Sequence, residues 1–119
     1  MQVMERIKPG ERIAGPENIE LPKGYTIEPL VKHLNYPTAV TWDDDGRLLI
    51  AESHFPYGKT GQTEIRILRR DPDGSLETAV SGFDQIINDI TMHQGQLYVS
   101  HRGKISRVED GQIRDLITG

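Results

Sequence analysis

The sequence predicts an all-β fold, namely a β-propeller fragment of two four-stranded antiparallel blades plus one N-terminal edge strand. Residues 37–53, PTAVTWDDDGRLLIAES, recur as residues 87–102, INDITMHQGQLYVSHR, and residues 67–82 recur as residues 104–119. Polar turns separate the short apolar runs, and no run sustains a helical period. A unit of about 40 to 50 residues with four short strands is typical of a propeller blade.

The N-terminal residues 1–20 show neither helical nor alternating periodicity, and breaks containing Gly and Pro interrupt them. They are predicted to form an extended arm, and residues 21–119 to form the partial propeller. The first strand, residues 25–31, contains Pro29, which has no N–H to donate and therefore restricts the strand to an edge or a bulge. In a ring, such an edge strand would become the outermost strand of the last blade.

Two full blades follow the edge strand. Blade one, residues 38–81, is predicted to hold strands over residues 38–43, 47–53, 64–71 and 75–81. Blade two, residues 86–118, is predicted to hold strands over residues 88–93, 96–101, 104–109 and 112–118. Gly46 and Gly74 end turns that have the Asp/Gly chemistry of tight hairpins. The loop over residues 54–63 has no counterpart in blade two.

Composition excludes several classes of function. The chain has 119 residues, with 14 Lys and Arg against 18 Asp and Glu, so its net charge is −4 and no basic cluster favours nucleic acid. It has no cysteine, and no apolar run near its start resembles a signal peptide or a membrane span. As written from Met1, the chain is expected to be soluble and cytoplasmic.

No metal site is predicted. The acidic turn that begins at Asp43 resembles a calcium loop, but the twelfth position of such a loop needs a bidentate Glu and is His54 here. The four histidines have no spacing suited to zinc. Trp42 and Tyr98 could stack on a sugar, but as residues of packed blade faces they are expected in the core.

Three segments resemble a known family: LPKGYTIEPLVKHLNYPTAVTWDDDGRLLIAES, RILRRDPDGSLE and ITMHQGQLYVSHRGKISRVEDGQ. They are similar to the opening blades of the glucose/sorbosone dehydrogenases, which are quinoprotein-like six-bladed propellers. The resemblance implies sugar or aldose oxidation with pyrroloquinoline quinone (PQQ) and calcium in the complete fold. The family's quinone pocket and base histidine come largely from later blades, so this chain alone is expected to hold no cofactor and to be inactive. Gluconolactonase-like and NHL-type propellers share the individual motifs and remain alternatives.

Loops on one face of a propeller commonly form its ligand site, which selects six candidate residues here. His54 and His101 are the candidate catalytic bases, and Arg102 is a candidate electrostatic clamp for an anionic quinone or a sugar. The candidate ligand-binding residues are Glu52, Asn88, Asp89 and Arg102. The alternative is structural, since polar residues at strand ends commonly bond exposed backbone groups.

Two functional classes follow from the sequence. The first is the N-terminal two-blade part of a glucose/sorbosone dehydrogenase-like propeller. The second is a non-enzymatic propeller fragment or a self-assembling scaffold. In both classes the expected partners are missing blades or further copies of the chain, because two blades do not close a ring of four to eight blades. A sugar is the candidate small ligand, and neither nucleic acid nor a membrane is expected.

Overall fold

The computed structural model describes residues 15–53 and 64–119 of the chain. The chain divides into two compact units, Met1–Leu34 and Asn35–Gly119. Within residues 15–34 of the first unit, the one regular element is a 3-10 turn at Pro16–Asn18. The part of the chain that the structure describes has no helix long and apolar enough to cross a membrane.

The structure does not form the predicted edge strand over residues 25–31. Tyr25 instead closes a turn, in which its N–H donates to the Pro22 carbonyl at 3.1 Å. A strand needs a neighbour that supplies hydrogen bonds, and residues 25–31 belong to neither sheet of the described chain. Pro29 also has no N–H to offer to such a neighbour.

The second unit confirms the all-β prediction, with two antiparallel four-stranded sheets in its described residues. Both sheets have their strands in chain order, so each pair of neighbouring strands is consecutive in sequence. The strands of the first sheet are β1 (Pro37–Trp42), β2 (Leu48–Glu52), β3 (Ile65–Arg70) and β4 (Leu76–Phe83). The strands of the second sheet are β5 (Ile87–His93), β6 (Gln96–His101), β7 (Lys104–Glu109) and β8 (Gln112–Thr118).

The acidic segment that begins at Asp43 is a hairpin turn, as its Asp/Gly chemistry predicts. The Asp43 carboxylate Oδ1 accepts the N–H groups of Asp45 at 3.0 Å and of Arg47 at 2.8 Å. Gly46 closes the turn with φ of 76°, a conformation that costs glycine little. The Asp43 side chain therefore orders its own backbone.

The ladders of the two sheets correspond position by position. Both sheets have an irregularity in their first ladder, at Pro37/Ala39 and at Ile87/Asp89. Both also have a matching one in their third ladder, at Ile67/Leu68 and at Ile105/Ser106, and the first sheet has a further one at Ile65/Arg66. Five ladder pairs of the first sheet have a counterpart in the second: Ala39/Ala51 matches Asp89/Ser100, Thr41/Leu49 matches Thr91/Tyr98, Leu49/Arg69 matches Tyr98/Arg107, Ala51/Ile67 matches Ser100/Ile105, and Ile67/Val80 matches Ile105/Ile117. The sequence repeat is therefore a structural repeat, with one matching bulge in the first ladder and one in the third.

Each sheet has two faces, because successive side chains of a strand point to opposite sides. We call the side that carries Leu49, Ala51 and Ile67 the back face of the first sheet. The back face of the second sheet carries the corresponding residues, Tyr98, Ser100 and Ile105. The opposite sides are the front faces, which carry Leu48, Ile50 and Leu68 in the first sheet and Leu97, Val99 and Ser106 in the second.

The core lies between the back face of the first sheet and the front face of the second. The buried cluster consists of Leu49, Ala51, Ile67, Val80 and Phe83 from the first sheet and Ile87, Ile90, Leu97 and Val99 from the second. Strand β5 is the part of the second sheet that lies against β1 and β2. The faces that meet are therefore not corresponding faces. The sheets stack front to back, whereas a two-fold sandwich would bring corresponding faces together.

Two faces remain outside this core. On the front face of the first sheet, Val40 and Trp42 of β1 are each 59% exposed. The expectation that Trp42 is a core residue is therefore wrong. Its corresponding residue in the second sheet, Met92, does pack against the core cluster. Leu48, Ile50 and Leu68 on the same front face are buried, so the exposed part of this face is β1. Met92 differs from Trp42 because its strand, β5, lies against the first sheet.

Ile67 and Ile105 form a matched pair that tests this packing. They occupy corresponding ladder positions, but Ile67 is fully buried and Ile105 is 40% exposed. We expect Ile67→Ala to lower the free energy of unfolding by about 2–5 kcal/mol, since it leaves a cavity between the sheets. Ile105→Ala should cost less than about 1 kcal/mol. Urea unfolding of the dilute protein measures both values, and equal losses would contradict the front-to-back arrangement.

Candidate functional site

The candidate residues lie at strand ends and turns. Glu52 ends β2, His101 ends β6, and Arg102 lies in the turn between β6 and β7. Asn88 and Asp89 lie at the start of β5, beside its irregularity. His54 lies outside the described residues, so its role as a catalytic base stays a prediction.

Glu52 is buried and bound by charged and backbone donors. Its carboxylate Oε1 accepts from Nε of Arg66 at 3.1 Å, and Nη2 of Arg66 is also 3.1 Å from this oxygen. Oε2 accepts the N–H of Asn35 at 2.9 Å. Arg66 is the ladder partner of Glu52 on β3, so the pairing register itself brings the two charges together. Because only 4% of the Glu52 side chain is exposed, these bonds are needed to compensate for its desolvation.

Ser53 is a structural residue that the sequence did not single out. It is fully buried, and its N–H donates to the Tyr36 carbonyl at 3.0 Å. Its Oγ accepts the N–H of Ile87 at 3.1 Å and lies 2.9 Å from Oγ1 of Thr38. One side chain thus joins the end of β2 to the start of β5 and fixes one sheet against the other. A serine after an apolar run carries no sequence signal that separates this role from an ordinary loop position.

His101 belongs to a chain of three polar side chains on the front face of the second sheet. Its Nε2 is 2.7 Å from Oγ of Ser106, and this Oγ donates to Oδ1 of Asp115 at 2.7 Å. Since the single hydroxyl hydrogen of Ser106 is used on Asp115, Nε2 of His101 must be the donor to Ser106. The imidazole is therefore not a base for this hydroxyl, and the order His, Ser, Asp differs from that of a nucleophilic triad.

The surroundings of this chain are tightly packed. Ser106 is fully buried and His101 is 4% exposed. The ring of Phe83, from the first sheet, meets the imidazole edge to face, with centroids 5.5 Å apart. Nδ1 of His101 is buried without a hydrogen-bond partner among the described residues. His101 thus lies within the interface between the sheets.

Asp115 is the charged end of this row of three hydrogen-bonded side chains. The hydrogen bond from Ser106 lowers the pKa of this carboxyl below its ordinary value, and bonding to Lys104 lowers it further. Nζ of Lys104 lies 3.3 Å from Oδ2 of Asp115. Lys104 is the ladder partner of His101, which is the position that Arg66 occupies beside Glu52. In both sheets, therefore, a cationic side chain of the third strand lies opposite the last residue of the second strand.

The exposed candidates have separate surroundings. Oδ1 of Asp89 accepts the N–H of its own neighbour Ile90 at 2.9 Å, and Asp89 lies on the back face of the second sheet. His101 lies on the front face of the same sheet. Arg102 lines a shallow depression with Asp84 and Lys104. Asn88 is exposed at the bulge.

Side-chain alternation also separates the two buried candidates. Glu52 points away from Ala51 and so lies on the front face of the first sheet, while His101 faces the back face of that sheet. Among the described residues, no group of three or more His, Cys, Asp or Glu could hold a metal ion. The carboxylate of Glu52 and Nε2 of His101 are both engaged by protein groups. Neither group is therefore a free ligand.

No family model, no curated protein and no solved structure gives a significant match to this chain. The resemblance to glucose/sorbosone dehydrogenases therefore stays a prediction from the sequence motifs.

Glu52→Gln tests whether the Glu52–Arg66 pair is structural. We expect the free energy of unfolding to fall by about 1.5–3 kcal/mol, because a buried charged hydrogen bond is lost. The control is Glu77→Gln, which removes the partner of Arg69 in an exposed ion pair and should cost less than about 1 kcal/mol. Urea unfolding at neutral pH distinguishes them, and an equal or smaller loss for Glu52→Gln would contradict the structural role.

Asp115 predicts an acid dependence of stability. Its pKa in the folded protein lies below the ordinary value of 3.8, so its stabilising effect is present above that value and is lost as the pH falls through the folded pKa. We expect the stability difference between the native protein and Asp115→Asn to be constant near neutral pH and to shrink in acid. Thermal unfolding over a pH series measures this difference. Asp45→Asn removes the same charge from an exposed turn and serves as the control; a pH-independent effect at Asp115 would contradict the prediction.

Proposed function

We propose that this chain is a pair of β-propeller blades, and that its role is to build part of a propeller wall. The observation that carries the proposal is the front-to-back stacking of two sheets with the same ladder register and two matching bulges. Front-to-back stacking leaves a front face at one end and a back face at the other, so further sheets can be added by the same contact. A ring of such sheets is a propeller.

The buried candidate residues fit this role as interface residues. Ser53 joins the sheets through the amide of Ile87, and His101 packs against Phe83 of the preceding sheet. Glu52 and His101 occupy corresponding positions, each with a cationic ladder partner. These contacts favour a structural function for the blade ends over catalysis by this chain.

The resemblance to glucose/sorbosone dehydrogenases supplies the type of propeller within this proposal. In a complete fold of that type, PQQ supplies the oxidation of a sugar, with calcium as its companion ion. Among the described residues, no cluster of three or more His, Cys, Asp or Glu could hold a metal ion, which is consistent with cofactor contacts that come from other blades. Gluconolactonase-like and NHL-type propellers suit the same blade geometry and are the alternatives.

A dye-linked oxidation assay tests the proposal. We expect the purified chain, supplied with PQQ and calcium, to oxidise neither glucose nor other aldoses, and equilibrium dialysis to detect no PQQ binding. His101→Asn should then change thermal stability without any effect on dialysis. Robust aldose oxidation by the chain alone, or PQQ binding that His101→Asn abolishes, would overturn the structural role.

A further inference from the structure

The free back face of the second sheet carries a shallow apolar depression. It has a volume of about 140 Å³, and its lining includes Asp89, Thr91, Tyr98, Ser100 and Ile105. In the first sheet, the corresponding residues are Ala39, Thr41, Leu49, Ala51 and Ile67. In the first sheet, this surface packs against β5, which is the first strand of the second sheet. The depression on the second sheet therefore lies where the first strand of a further sheet would pack.

The front face of β1 carries the opposite half of the same contact. Val40 and Trp42 are each 59% exposed and correspond to Ile90 and Met92 of β5. Ile90 is buried in the core between the sheets, and Met92 packs against it. One chain therefore exposes an acceptor surface on the second sheet and, at Val40 and Trp42, a donor surface confined to β1, since Leu48, Ile50 and Leu68 of the same face are buried. The two surfaces correspond to those that meet inside the chain.

We propose that β1 of a second copy of this chain fills the depression on the second sheet. The inference rests on the proposed blade function and adds the identity of the partner. The contact is head to tail, because a front face meets a back face. Propellers of four, six or eight blades would need two, three or four copies. Because residues 25–31 belong to neither sheet, each copy supplies two complete four-stranded blades and leaves no strand over.

The polar groups at this contact are compatible with it. Inside the chain, the N–H of Ile87 donates to Oγ of Ser53. At the corresponding positions of the proposed contact, Pro37 replaces Ile87 and Arg102 replaces Ser53. Proline has no N–H, so the missing serine leaves no amide donor unpaired. The proposed contact therefore lacks both the donor and the acceptor of this hydrogen bond.

The proposed contact is more polar than the one inside the chain. Asp89 stands where the first sheet has Ala39, and Ser100 stands where it has Ala51. Partial burial of a carboxylate opposes association. The assembly is therefore expected to dissociate on dilution, and Asp89→Ala is expected to strengthen it.

Trp42 provides a direct readout, since it is the only tryptophan of the chain. We expect light scattering to show a mass that rises from 13.4 kDa to a multiple of it as concentration increases. Over the same range, the Trp42 emission should shift to shorter wavelength and its quenching by iodide should fall. A monomer at every concentration, or association without any change at Trp42, would overturn the proposal.

A mixing experiment tests the head-to-tail geometry. Val40→Asp with Trp42→Asp removes the donor strand, and Ser100→Arg with Ile105→Arg removes the acceptor surface. Each variant should be monomeric alone, while an equal mixture should form a dimer of one copy of each, since each retains one intact half. A dimer of the first variant alone would indicate contact between two second sheets and overturn the proposal. Persistent association of both variants would do the same.

Tyr25→Asp is the control, because Tyr25 is 71% exposed and lies outside both sheets; it should leave association unchanged. Circular dichroism shows whether each variant is folded, and the Trp42 readout of the native chain decides the question if a variant is not. Asp89→Ala should lower the dissociation constant, and a weaker or unchanged assembly would count against the contact. The outcome is independent of the dye-linked assay, so failure of self-association is distinguishable from failure of the proposed blade function.

Discussion

The packing of one sheet's back face on the next sheet's front face determines most of this structure. Ala51, Ile67 and Val99 are fully buried in the cluster between the two sheets. Burial of a single isoleucine side chain contributes about 1.5–3 kcal/mol, so a few such residues account for much of the stability of a small domain. Ile105 occupies the position in the second sheet that corresponds to Ile67, but no sheet covers its face, and it is exposed.

The polar residues at the strand ends make this packing specific. Apolar side chains tolerate small shifts of one sheet over another, whereas the bond between Ser53 and Ile87 has a defined direction and length. His101 adds a second constraint, since its Nε2 is held by Ser106 while its ring meets Phe83. A buried polar network of this kind favours one alignment of the sheets over others.

Much of the fold could be predicted from the sequence, because the repeat and the turn glycines set the strand lengths. The bounds of β6, β7 and β8 agree with the prediction, and the other strands differ by one or two residues. The predicted strand over residues 25–31 is absent from both sheets. Alternation of apolar and polar residues suits a strand, but it does not supply a neighbouring strand to pair with. The exposure of Trp42 could not be predicted either, since burial on a sheet face depends on what covers that face.

The candidate site was less predictable than the strands. Sequence reasoning found the polar strand ends, including Glu52 and His101, but it could not show that alternation places these two residues in separate environments. The roles of Ser53 and Ser106 were missed for a physical reason. A buried hydroxyl is recognised by its partners, which come from other strands, and neither residue differs in type from the many serines found in turns.

The bulges in the outer ladders have a consequence for aggregation. β4 and β8 are edge strands; β4 has extra residues at two bulges, Ala79 and Gly82, and β8 has one, Leu116. An incoming strand from another molecule needs an even spacing of free N–H and C=O groups, and a bulge interrupts that spacing and twists the edge. With Leu116 and Ile117 exposed, an unbroken β8 would be an apolar template for fibril growth. The repeated bulge thus protects the outer edge of each sheet while the faces remain free to stack.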